Sequence, residues 1–129
     1  MKTPASPPLV GTLLQTFFID HLLTHKRVSP QTVASYRDAF RLLLQFAYER
    51  KGIAPAALRV SDLDVPTILA FLDSLEQERH NRVRSRNIRL GAIRSFFRLV
   101  ALKEPACVGL VTQVLALPVS APINAWWRR

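Results

Sequence analysis

Cysteine is almost missing: Cys107 stands alone among 129 residues, which excludes a disulfide framework and a thiolate zinc finger. Glycine is scarce as well, at positions 11, 52, 91 and 109 only, and no Asn-Gly or Asp-Gly pair offers a hairpin turn. Sustained apolar–polar alternation is absent, so nothing reads as a half-buried strand. No apolar run reaches the roughly 18 residues of a membrane span, and Met1-Lys2-Thr3-Pro4 is not a secretory leader. Acid is the scarce sign of charge: 9 Asp and Glu face 18 Lys and Arg, a net +9. The remaining composition is 49% apolar, enough to build a core and to exclude disorder as the main state. An ordered, strongly basic chain points first to nucleic acid and second to an anionic membrane surface.

Apolar spacing of three and four residues predicts an all-α fold of four to five helices in a compact bundle. A first helix is expected from Leu9 to His25, with Leu13, Leu14, Phe17, Phe18, Leu22 and Leu23 on one face. A second starts at Ser29, whose hydroxyl can cap, with Pro30 at the first helical position where its missing N–H costs nothing. Its core stripe is Val33, Tyr36, Phe40, Leu43, Leu44 and Ala47, with Arg37, Arg41 and Gln45 opposite; Gly52 ends it. Pro55–Leu58 reads as a short turn. A third helix spans Asp64–Arg79 through Ile68, Leu69, Phe71, Leu72 and Leu75. A fourth runs from Arg84 to Leu102, with Ile88, Ala92, Ile93, Phe96, Phe97, Leu99 and Val100 on its core side. The fifth, Cys107–Leu117, is short, and Pro118 stops it. By this reading residues 1–8 are a flexible N-terminus, 9–118 form one domain, and 119–129, with Trp126 and Trp127, are a disordered tail.

Charge is distributed unevenly. Between Val60 and Glu78 there are five acids and no base, whereas Arg79–Lys103 holds eight bases and no acid. On a helical wheel Arg84, Asn87, Gly91, Arg94 and Arg98, spaced 3, 4, 3 and 4, share one stripe. Arginines one turn apart can meet successive phosphates, and Arg or Asn can pair bidentately with guanine or adenine. Gly91 within the stripe lets a partner approach the backbone, at a helix cost of roughly 1 kcal/mol relative to alanine. Solvated helix faces ordinarily mix signs, which favours nucleic acid here over a merely exposed face or an acidic protein partner. The start of the second helix, Ser29–Thr32, adds N–H groups and hydroxyls beside Arg37 and Arg41.

Catalytic readings find little support. His21 and His25 lie one turn apart, but no further ligand completes a metal set. Cys107 sits in an apolar run, and no glycine-rich phosphate loop is present. No cofactor, metal or small-molecule substrate is expected.

Three segments resemble the N-terminal core-binding domain of tyrosine recombinases, the phage-integrase type. They are Phe17-Phe18-Ile19-Asp20-His21-Leu22, the helix start Ser29-Pro30-Gln31-Thr32-Val33-Ala34-Ser35-Tyr36-Arg37, and Arg86-Asn87-Ile88-Arg89-Leu90-Gly91-Ala92-Ile93-Arg94-Ser95-Phe96-Phe97. With Phe71-Leu72-Asp73-Ser74-Leu75-Glu76 between them, the sequence is most similar to insertion-element transposases of that family. The resemblance implies a SAM-like helical domain that clamps duplex DNA in a bacterial cytoplasm during recombination or integration. It implies backbone contacts from Thr32, Arg37 and Arg41, and a major-groove position for Arg86, Asn87, Arg89, Arg94 and Arg98. Arg86 and Arg89 lie towards the core side of the wheel, so they reach DNA only near the entrance of the fourth helix. The family's cutting machinery is an arginine, a lysine, a His-x-x-Arg pair and a nucleophilic tyrosine in a second domain. Here His25-Lys26-Arg27 and His80-Asn81-Arg82 are His-x-Arg, and Tyr36 and Tyr48 belong to the second helix. The sequence is therefore expected to bind without cutting, as a truncation or with a tail supplied by a frameshift. One further reading stays open, a helical protein–protein module that meets another recombinase protomer or an acidic partner; a helix-turn-helix regulator is disfavoured because the Glu76–Arg84 connection is long and charged for its short turn. A lipid surface is disfavoured because the apolar faces are committed to the core.

Overall fold

The computed structural model describes residues 8–26, 28–78 and 83–117. Among the described residues five α-helices follow one another: α1 (Val10–Thr16), α2 (Pro30–Lys51), α3 (Val65–Glu78), α4 (Val83–Lys103) and α5 (Val108–Leu115). No strand occurs among the described residues, although Leu9 and Arg59 form an isolated antiparallel bridge. The all-α expectation holds.

The helix starts and stops follow from local chemistry. At the head of α2, Ser29 Oγ accepts from the Thr32 amide at 3.1 Å, and Pro30 occupies the first turn. Gly52 closes the helix in the left-handed region, at φ 71°, with its N–H on Tyr48 O at 2.9 Å. Asp64 caps α3: Oδ1 accepts from the Thr67 amide at 3.1 Å and from its hydroxyl at 2.6 Å. Those hydrogen bonds from Thr67, led by the hydroxyl, hold the Asp64 carboxyl below its ordinary range against a smaller opposing effect of burial.

The first helix differs from its expected form. After Thr16 the chain does not continue as α-helix but widens into π-helical turns over Phe17–Lys26. Side-chain spacing does not register that change, because the wider turn still carries Phe17 and Leu22 into the core. The linker after α2 is also more built than a single turn. It holds two short 3₁₀ turns, Pro55–Ala57 and Val60–Asp62, and is laced to the start of α1 by Val10 N–H on Leu58 O and Val60 N–H on Pro8 O, both 2.9 Å.

Helix α4 lies at the centre, packed against α2, α3 and α5. Phe96 is its pivot, with ring centroids 5.7 Å from Phe17, 5.4 Å from Phe40 and 5.6 Å from Phe97, all edge-on. Phe17 also meets Phe40 at 5.9 Å, so the first helix, α2 and α4 share one aromatic knot. Phe46 and Phe71 join α2 to α3 at 5.6 Å. Leu90, missing from the expected core side of α4, is buried, whereas Ile88, expected there, is 42% exposed. The buried residues of α4 cover about half of its circumference, an arc rotated slightly from the expected core side so that Leu90 enters it and Ile88 leaves it. The rest of the helix surface is half-buried or exposed, and Ile88 falls at the edge of this open strip. On α2, Tyr36 and Leu44 are half-buried at the border of the core rather than inside it.

Candidate nucleic-acid interface

The open strip of α4 faces the first half of α2. Between them runs a cleft of about 550 Å³, with Ser29, Gln31, Thr32, Ser35 and Tyr36 on one wall and Asn87, Ile88 and Gly91 on the other. A second hollow, of about 170 Å³, opens beyond Asn87 and Gly91 and is lined by Leu90, Arg94 and Arg98. Asn87 and Gly91 border both hollows, so they form the ridge between them. The helix start expected to offer hydroxyls and N–H groups therefore sits beside the polar stripe of α4. Sequence spacing assigned each to its own helix but could not pair them.

Each expected site residue has a definite place. Arg37, Arg41 and Arg98 are exposed, and Asn87, Gly91, Arg94 and Thr32 are half-buried. The Thr32 hydroxyl is already engaged locally, accepting from Ser29 Oγ at 3.0 Å. Arg94 reaches across to the end of α5, where Nη1 donates to Leu117 O at 3.5 Å, so this arginine also ties α4 to α5. Arg86 is 9% exposed and belongs to the buried part of α4, in keeping with its place near the core side of the wheel. The Arg89 side chain is 15% exposed and lies 3.9 Å from Asp38. Arg84 belongs to α4, but its side chain lies outside the described part, as do Pro118, Trp126 and Trp127. The eight bases of the sequence thus do not form eight equal contacts.

The space around Gly91 is open, as it is at the other three glycines. A Cβ added there would meet nothing within 4 Å, so packing inside the domain gives no reason for glycine in the middle of α4. Its helical φ gives none either, because Gly52 alone among the described glycines has a positive φ.

Elsewhere the surface offers little chemistry. A hollow between α2 and α3, of about 190 Å³, is lined by Leu42, Gln45, Phe46, Glu49, Phe71, Ser74 and Leu75. It presents a carboxylate and no cation, unsuited to a polyanion. No metal-binding group of His, Cys, Asp and Glu occurs among the described residues. Burial, with Glu104 adding to it, pushes the Cys107 thiol up, away from the thiolate that a nucleophile needs. No described helix is long and apolar enough to cross a membrane.

A helical bundle of this order and composition is a SAM-like domain. The family model of the phage integrase N-terminal SAM-like domain matches residues 16–104, and the chain belongs to that family. Two proteins of Sinorhizobium fredii (strain NBRC 101917 / NGR234) are similar to it. "Putative integrase/recombinase y4rD" is 47% identical over 111 residues, 86% of this chain and 40% of that protein. "Putative integrase/recombinase y4rC" is 46% identical over 109 residues, 84% of this chain and 33% of that protein. The chain thus spans less than half the length of either relative. No solved structure matches it.

Proposed function

We propose that this domain is the duplex-DNA-binding part of a tyrosine-type site-specific recombinase, holding DNA against α2 and α4 and leaving strand cutting to residues outside it. The observation that carries this reading is the pairing of the α2 start with the glycine-centred polar strip of α4 across one open cleft. The names of the two relatives, both integrase/recombinases, support a role in recombination or integration. Thr32, Arg37 and Arg41 meet the backbone from one side. Asn87, Gly91, Arg94 and Arg98 meet the duplex from the other, with Arg84 at the entrance of α4. Arg86 and Arg89, being largely buried, reach DNA only at that entrance.

The exposed cations fix the expected magnitude. Arg37, Arg41 and Arg98, with a share from Arg94, neutralise about four phosphates, giving a log–log salt slope of about −3 to −4. Titration of a short mixed-sequence duplex at several salt concentrations tests this. Arg98→Ala is expected to make the slope shallower by about one, and Arg94→Ala to weaken binding with some loss of stability because its bond to Leu117 O goes too. Binding by both variants that matches the parent at every salt concentration would remove α4 from the DNA face.

A second reading is a protein-interaction module. The five acids between Val60 and Glu78 carry it, since an acidic α3 region in one molecule complements the basic α4 of another. Salt-sensitive self-association without DNA would favour it.

A further inference from the structure

One acidic residue lies within the basic face. Asp38, half-buried on α2, uses its two carboxylate oxygens for two different arginines: Oδ1 accepts from Arg41 Nη2 at 2.6 Å, and Oδ2 lies 3.9 Å from Arg89 Nη2. The two pairs are unequal. Arg41 is exposed and well bonded, a contact worth little in water. Arg89 is largely withdrawn from solvent, its ion pair is long, and its Nε is buried without a hydrogen-bond partner. A cation held so is under-satisfied and favours a closer anion. Asp38 and Arg89 line a hollow of about 160 Å³ together with Ser35, Ser85 and Ile88. Two hydroxyls, the Arg89 guanidinium and a removable carboxylate, which Arg41 holds from outside the hollow, make an anion seat that opens to solvent between α2 and α4.

We propose that this seat takes one phosphodiester of bound DNA, and that Asp38 occupies it in the free domain as an internal competitor. The inference rests on the DNA-binding reading above and adds to it a place and a restraint. Phosphate and carboxylate are alternative partners for the same guanidinium groups. While the carboxylate stays, it repels an approaching phosphate; when a phosphate binds, Arg89 and Arg41 change partners rather than gain a first one. The seat therefore weakens general attraction for duplex, and Asp38 is a positioning residue that sets how tightly the domain holds DNA without regard to sequence.

The test is a comparison of Asp38→Asn with the parent on a mixed-sequence duplex across salt concentrations, with Glu49→Gln as a charge-matched control on the same helix. Asparagine keeps the shape and removes the charge. Asp38→Asn is expected to bind about threefold to tenfold more tightly at low salt, with a steeper slope, and Glu49→Gln to change little. In an Arg89→Gln background the gain should fall to what Arg41 alone supplies. Equal gains from Asp38→Asn and Glu49→Gln, or a gain that survives unchanged without Arg89, would overturn the seat while leaving DNA binding in place. Failure of the parent and every variant to bind duplex at low salt would overturn the DNA-binding reading and the seat with it.

Discussion

At the scale of single residues, Gly91 carries the sharpest consequence. A glycine inside a helix costs roughly 1 kcal/mol relative to alanine, and nothing within 4 Å of its would-be Cβ explains the choice. Gly91→Ala is accordingly expected to stabilise the free domain by about 0.5–1 kcal/mol in chemical denaturation and to weaken duplex binding in the same preparation. Stabilisation with unaltered binding would mean that no partner presses on this part of α4. The position was legible in the sequence as a gap in a stripe of long polar side chains. That its surroundings are empty was not, because emptiness depends on what the neighbouring helices place there. Asp38 illustrates the same limit: its spacing of three from Arg41 is visible along the chain, but its approach to Arg89 comes from the packing of α2 on α4.

At the scale of helices, boundaries were read more reliably than faces. The cap at Ser29, proline at the next position and the stop at Gly52 are local chemistry, and α2 obeys them to the residue. Helix α3 likewise starts after Asp64, and its cap gives a pH-dependent prediction. The folded carboxyl is held below its ordinary pKa, so its contribution is fully present above the ordinary carboxylate range and is lost as pH falls through the lowered value. Asp64→Ala should cost about 1 kcal/mol near neutrality, and the difference from the parent should shrink as the pH of thermal melts is taken below about 4. A constant difference down to strongly acidic pH would contradict the cap. Faces were harder to read. On α4 the wheel predicts one core side, and packing against α2, α3 and α5 buries about half of the circumference, rotated slightly from that side. Ile88 ends on the open strip and Leu90 in the core for that reason. The π-helical turns of Phe17–Lys26 left no sign in the spacing, since the apolar residues suit either winding.

At the scale of the whole molecule, the run from five acids to eight bases is what the sequence displayed most openly, and it places opposite charge on successive helices. The fold then grades the basic half. Arg86 lies inside, Arg89 is drawn towards Asp38, Arg94 braces α5, and Arg98 faces solvent. Net charge therefore overstates the number of phosphates that the domain can meet at once, while still drawing a polyanion towards it over distance. The central claim is that the cleft between the start of α2 and the strip of α4 is where duplex DNA lies. Following backbone amide shifts by NMR while a short duplex is added, at low and at raised salt, measures this directly. The account predicts shifts concentrated in Ser29–Arg41 and in Asn87–Arg98, fading as salt rises, with α3 unmoved. Shifts on α3, or none in those two segments at low salt, would contradict it.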